Sequence, residues 1–351
     1  MASTTYKPAI MSASLGRAAQ HDFDYKVEQA SKAGFKAIEI FFEDLEKVGR
    51  DLVAKNGGDA SNTAELTTEQ LLAAASHCYD TCQRNGLEVL DLQPFLFYEG
   101  LLDRAQHARL IEKMKVWLQL AKRLHTTTIQ IPANFLPADQ LTGDFDVIAA
   151  DLRLVADMGA AETPAVRYAY ESLCWSTHVD TWDKGWDIVR RVDRPNFGTC
   201  LDTFNIAGRV WADPTSPTGK APNADADLKD SLERLVRDVD LSKVFLVQVV
   251  DAERMTTPLV AGHPFHIEGN PPRMNWSRHA RAFMYETDRG AYLPAEDVAR
   301  AIISGLGYKG YVSMELFSRT MSELGQQVPV EHARRGIVAW KKLQERLCLN
   351  E

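Results

Sequence analysis

Short apolar runs rich in β-branched residues alternate along the chain with longer segments of helical periodicity. The runs fall at residues 9–15, 37–42, 88–93, 127–132, 166–172, 198–203, 244–250 and 311–316. Most are apolar on both faces, as strands are when helices cover one side and other strands the second. The helical patterns that follow are clearest at residues 25–33, 68–84, 103–124, 144–158, 225–239, 294–304 and 330–347. Gly34, Gly86, Gly159 and Gly305 stand at the ends of such segments, where a left-handed cap residue is wanted. Eight strand-then-helix units predict an α/β fold, a closed parallel (β/α)8 TIM barrel, as a single domain over residues 1–351. A doubly wound sheet would carry a glycine-rich phosphate loop after its first strand. The chain has Ser14-Leu15-Gly16-Arg17 there.

Two connections are longer than plain loops. One spans residues 43–66 and contains Asn56-Gly57-Gly58. The other spans 251–293, between strands seven and eight, and holds four prolines with His263, His266 and Trp276. Long loops of this kind over a barrel mouth carry function.

Charge narrows the partners. The formal net charge is −8, and basic runs do not exceed pairs such as Arg190-Arg191. A phosphate-backbone binder needs a basic stripe, so neither nucleic acid nor an anionic membrane is an expected partner. The five cysteines are irregularly spaced; Cys78 and Cys82 share a helix face without a second pair to complete a zinc site. They read as reduced core thiols. No apolar run reaches membrane-spanning length and residues 1–7 lack a leader pattern, so the cytoplasm is the expected location. Nothing in the pattern specifies an oligomeric state.

The candidate chemistry lies near the carboxyl ends of four successive strands: Glu171, Asp202, Gln248 and Glu315. A lone buried carboxylate costs several kcal/mol unless paired, and three in one barrel would repel each other. One solution is pairing with cations such as Arg167 or Arg190. The other is a divalent cation, and three carboxylates with an amide oxygen form a hard, all-oxygen set that favours Mg²⁺ or Mn²⁺.

The segments around these residues are Tyr170-Glu171-Ser172-Leu173-Cys174-Trp175, Cys200-Leu201-Asp202-Thr203-Phe204-Asn205, Val247-Gln248-Val249-Val250-Asp251 and Met314-Glu315-Leu316-Phe317-Ser318. With Leu92-Gln93-Pro94-Phe95 and the run from Arg273 to Arg281, they resemble the xylose-isomerase-like barrels. Within that superfamily they resemble the fungal 3-dehydroshikimate dehydratases of quinate catabolism, over nearly the whole chain. The resemblance implies a hydro-lyase that converts 3-dehydroshikimate to protocatechuate with Mg²⁺, Mn²⁺ or Co²⁺. It implies Glu171, Asp202, Gln248 and Glu315 as metal ligands. Ser277 and Arg281 would hold the substrate carboxylate, with Arg278 and Asn205 beside them. Related bacterial enzymes tend to carry a basic or imidazole group where this chain has Asn205, and some carry a histidine where it has Leu173.

The implied reaction needs a cation to polarise a ketone, a base for the neighbouring C–H and a proton donor for the departing hydroxyl. His266, His178 and Glu43 are the candidates for the base, with His263, Glu39 and a metal-bound water as alternatives. Trp175, Trp276, Phe95 and Phe204 are candidate walls for a flat ring. Two rival readings remain at this level: a sugar isomerase or ketose epimerase on the same barrel, and a silent small-molecule-binding barrel.

Overall fold

Strand and helix alternate through the chain as the pattern predicts, and the strands close on themselves. A computed structural model describes residues 5–57 and 65–349. The barrel strands are β1 (Lys7–Met11), β2 (Ala37–Phe41), β3 (Glu88–Gln93), β4 (Thr128–Pro132), β5 (Arg167–Glu171), β6 (Phe197–Asp202), β7 (Val244–Val249) and β10 (Tyr311–Met314). Their order is β1-β10-β7-β6-β5-β4-β3-β2, closed, and every pair is parallel. A separate two-stranded ribbon, β8 (Asp251–Ala252) with β9 (Arg281–Ala282), folds the long connection back on itself.

The helices are α1 (Phe23–Ala33), α2 (Phe42–Lys55), α3 (Thr68–Arg84), α4 (Arg104–Arg123), α5 (Phe145–Ala160), α6 (Trp182–Val192), α7 (Thr203–Val210), α8 (Ala224–Asp238), α9 (Pro272–Ala280), α10 (Ala295–Arg300) and α11 (Gln327–Arg346). Among the described residues no helix is long and apolar enough to cross a membrane. The five cysteines are free, and all but Cys348 are buried.

Three expectations shift. The first strand ends at Met11, and residues 12–15 form a 3₁₀ turn. Their hydroxyls explain it: Ser12 Oγ takes the N–H of Phe41 and donates to Asp44, while Ser14 Oγ takes the N–H of Leu316. Side chains that capture neighbouring strand ends in this way terminate a ladder. Second, most of the connection expected at 43–66 is α2, with Glu43 and Asp44 in its first turn. Gly49 masks the helical pattern; a Cβ there would meet Leu66 Cδ1 at 2.6 Å. Gly58, of the Asn56-Gly57-Gly58 signal, lies outside the described residues.

The third concerns glycine caps. Gly34 and Gly86 do adopt φ of 110° and 69°. Gly159 instead lies inside α5, where a Cβ would meet Val166 O at 2.6 Å. It permits close helix–strand approach, so its requirement is space. Gly305 ends a π-helical turn, Ala301–Gly305, and the positive φ falls at Gly307.

Candidate active site

Strand register sets the site. Glu171 is the last residue of β5, Asp202 the last of β6, and Glu315 follows β10 directly. Asp202 pairs in register with Gln248 of β7, and Gln248 with Ser313 of β10. The four residues singled out in the sequence therefore stand on neighbouring strands at the carboxyl end of the barrel, where loops rather than helices cover the axis. Ligand atoms of Glu171, Asp202 and Glu315 all lie within 4.8 Å of one another, and all three residues are buried.

Local structure fixes each group. Asp202 caps α7: its Oδ1 accepts the Phe204 N–H at 2.7 Å, which aims Oδ2 into the barrel. Asn205, one turn on, donates through Nδ2 to Glu171 Oε1 at 2.8 Å and to Asp202 Oδ2 at 2.9 Å. Its Oδ1 accepts the Cys174 N–H at 3.0 Å, which settles the direction of the amide. Gln130 of β4 donates to Glu171 Oε2 at 2.8 Å. Gln248 donates through Nε2 to Glu315 Oε1 at 3.0 Å and to Glu39 Oε2 at 2.9 Å.

Arg281 is the cation of this cluster. It was expected at the mouth as a clamp for substrate, yet it is 3% exposed. Its Nη1 donates to Asp202 Oδ2 at 2.8 Å and Glu315 Oε2 at 2.7 Å, and its Nε to Ser277 Oγ at 3.0 Å. The guanidinium lies between the rings of Phe204 and Phe317, 4.3 and 5.2 Å from their centroids. Neither alternative cation plays this part: Arg190 bonds Asp187, and Arg167 Nε donates to Thr128.

One guanidinium does not balance the acids. Burial pushes the Glu315 carboxyl up to about 8, with Arg281 opposing and Asp202 adding repulsion. Burial raises Glu171 well above the carboxylate range, and Glu315 and Asp202 raise it further. Asp202 is also raised by burial, against the pull of Arg281. Burial pushes Glu39 to about 7. These four acids gain their charged form when further positive charge arrives. Converging carboxylate oxygens in a closed site are the donors a hard divalent cation takes, so the residues fit such an ion.

Above the cluster opens a cavity of about 350 Å³. Glu171, Glu315, Ser277, Arg281, Arg278 and Glu43 line it, with Trp175, Phe135, Phe41 and Phe317 among its apolar walls. Arg278 is exposed at the rim, and among the described residues no carboxylate pairs with it. Burial and the nearby Arg17 both lower its pKa. Arg17 pairs with Glu43 at 3.4 Å.

Several candidates lie elsewhere. His266 bonds the exposed Glu268 at 3.3 Å, and the His178 ring packs over Gly143. Neither lines the cavity, and His263 accepts a local N–H from Phe265. Of the four candidate aromatic walls only Trp175 serves; Phe95 packs on Trp117 and Tyr98, and Phe204 on Trp276. The sequence reading gave no role to Gln93 and Gln130, and weighed Glu39 only as a base. For Gln93 the signal existed: it is a polar residue at the carboxyl end of a barrel strand, the rule that found Gln248, whereas Glu39 and Gln130 stand at the middle of theirs.

Comparison with known proteins agrees with this architecture. The xylose isomerase-like TIM barrel family model matches residues 27–343. A 3-dehydroshikimate dehydratase of Neurospora crassa is 53% identical over 97% of this chain and 94% of its own length. One of Pseudomonas aeruginosa is 30% identical over 84% of this chain, which spans only 36% of that longer protein. Among solved structures, a xylose isomerase-like TIM barrel/4-hydroxyphenylpyruvate dioxygenase fusion protein superposes with a TM-score of 0.68 at 23% identity. That match covers 98% of this chain and 44% of the other, a likeness of fold. The chain belongs to the xylose isomerase-like TIM barrel family and, within it, to the 3-dehydroshikimate dehydratases.

Proposed function

We propose that this chain is a divalent-metal-dependent lyase that removes water from 3-dehydroshikimate to give protocatechuate. The observation that carries the reading is the convergence of Glu171, Asp202 and Glu315 within 4.8 Å beneath a cavity sized for one small ring. These three carboxylates, joined by Gln248, would hold Mg²⁺ or Mn²⁺, with Co²⁺ as a substitute. When bound, the cation polarises the substrate ketone and offsets charge developing on its oxygen.

The residues of the chain supply the rest. The substrate is an anion, and Arg278 is a cation at the cavity rim that no carboxylate among the described residues pairs with; the two are matched in charge, and a guanidinium can take a carboxylate bidentately. Ser277 accepts from Arg281, which leaves its own hydroxyl proton for a ligand. Asn205 and Gln130 hold Glu171 in place without adding charge. Trp175 and Phe135, in edge-to-face contact with each other, give the cavity an apolar wall against which a ring can pack.

Proton transfer falls to Glu43. Among the cavity-lining residues it is the carboxylate outside the acidic cluster, and no histidine lines the cavity. It takes the proton from the carbon between ketone and leaving hydroxyl. As the C–O bond breaks, it returns that proton to the hydroxide, and water departs. A proton shift then completes the aromatic ring.

The test is direct. Metal-stripped protein is mixed with 3-dehydroshikimate, Mn²⁺ or Mg²⁺ is restored, and the ultraviolet absorption of protocatechuate is followed. Metal-dependent appearance of the catechol acid is expected. Turnover unaffected by stripping, or full activity in Glu315→Gln, would remove the four-ligand assignment.

A further inference from the structure

Glu39 stands outside the three-carboxylate cluster yet touches it through one side chain. It is fully buried in β2, 0% exposed, and its Oε2 accepts from Gln248 Nε2 at 2.9 Å and from Gln93 Nε2 at 2.5 Å. The Ser313 hydroxyl of β10 also acts on this carboxylate and favours its charged form. Gln248 Oε1 faces Gln130 Nε2 at 3.4 Å and Cys200 Sγ at 3.3 Å.

A carboxamide has a donor end and an acceptor end, and the partner that claims one end decides where the other points. A carboxylate only accepts, so it claims the nitrogen. Gln248 has two such claimants, Glu39 and Glu315. Glu315 Oε1 cannot serve both an amide N–H and a cation along the same direction. Once Glu315 is engaged by a cation, Glu39 is the acceptor left to keep the nitrogen. A mere packing role at position 39 would be filled at lower cost by an apolar side chain, since a fully buried acid is expensive.

We propose that Glu39 is a positioning residue: it holds the amide nitrogen of Gln248, so that the amide oxygen, which here accepts from Gln130 and Cys200, is the end left for the cation. This rests on the cation-binding reading of Glu171, Asp202 and Glu315 given above. Gln93 braces Glu39 from β3, so three strands share the task.

The test reads cation binding without substrate. Mn²⁺ is titrated into metal-stripped wild type, Glu39→Gln, Glu39→Asp, Gln248→Met and the double variant Glu39→Asp/Gln248→Met. Free aqueous Mn²⁺ is read by electron paramagnetic resonance, and circular dichroism checks folding. Glu39→Asp keeps the charge but withdraws the acceptor by one methylene; it is expected to weaken Mn²⁺ binding roughly 10- to 100-fold. Glu39→Gln loses the charge but keeps an acceptor oxygen in reach; it is expected to stay within about 3-fold of wild type. The double variant should bind no more weakly than Gln248→Met alone, because Glu39 acts through Gln248. Wild-type affinity in Glu39→Asp, a larger loss in Glu39→Gln than in Glu39→Asp, or additive losses in the double variant would each overturn the proposal. Failure of wild type to bind Mn²⁺ would instead sink the cation reading on which it stands.

Discussion

Arg281 Nη1 lies 2.7 Å from Glu315 Oε2, and the two side chains are almost wholly withdrawn from solvent. Removing one member of a buried pair leaves an uncompensated charge, worth about 3–5 kcal/mol. Arg281→Met should therefore melt well below wild type. A bound cation supplies the charge that the variant lacks, so added Mn²⁺ should raise the melting temperature more in Arg281→Met than in wild type. Thermal melts with and without Mn²⁺ decide this; equal metal responses would show that the arginine and the cation do not share one electrostatic task.

Glu43 lines the cavity and is the base in the proposed reaction, whereas His266 and His178 lie away from the cavity. Glu43→Gln should lower kcat by roughly 10²- to 10⁴-fold while leaving Mn²⁺ affinity unchanged. His266→Ala and His178→Ala should stay close to wild type. Steady-state kinetics on the three variants suffice. An inactive histidine variant that folds and binds metal would return the base to the loops.

Arg278 is the exposed cavity-lining cation to which the proposed reaction assigns the substrate carboxylate. Arg278→Met should raise KM for 3-dehydroshikimate by about 10- to 100-fold, the scale of a lost charge-assisted contact, with a smaller change in kcat. Raised salt should narrow the gap between wild type and variant, since the lost interaction sits near solvent. An unchanged KM would place the substrate carboxylate elsewhere.

His332 supplies a pH signature remote from the chemistry. Burial, helped by Arg335, pushes its imidazole down to about 3, while its ring nitrogens meet Ser14 O and Thr320 Oγ1. The unfolded chain protonates this group near 6.5. Between those values the unfolded state binds more protons, so the contribution is intact above about 6.5 and declines as pH falls toward 3. It amounts to about 2 kcal/mol lost at pH 5 relative to pH 7. His332→Asn should be less stable at neutral pH and show a shallower decline on acidification. Parallel slopes for the two proteins would refute the assignment.

The barrel was legible because its strands are short apolar runs bounded by turn residues, and six of the eight keep their bounds within one residue of the pattern. What escaped detection had physical reasons. α2 was hidden by Gly49, a residue chosen for the approach of Leu66. Asn205 reads in sequence as a missing imidazole, whereas in space it ties Glu171 to Asp202. Arg281 was expected as a clamp at the mouth; its depth among the carboxylates goes with β8 and β9 pairing, which two-residue strands do not announce. Glu39 and Gln130 needed the closure of the barrel, since neither has a neighbour in sequence that marks it.

The β8–β9 ribbon has a consequence for how such barrels diversify. It brings Arg281 from an excursion outside the barrel to carboxylates on β6 and beside β10. Loops on this fold are commonly treated as exchangeable parts, with the strands as an inert chassis. Here the excursion carries the guanidinium that bonds Asp202 and Glu315, so swapping it for a shorter relative would strip the chassis of its internal counter-ion. Transplants between family members should therefore succeed only when strand ends and excursion are moved together, as one inherited block.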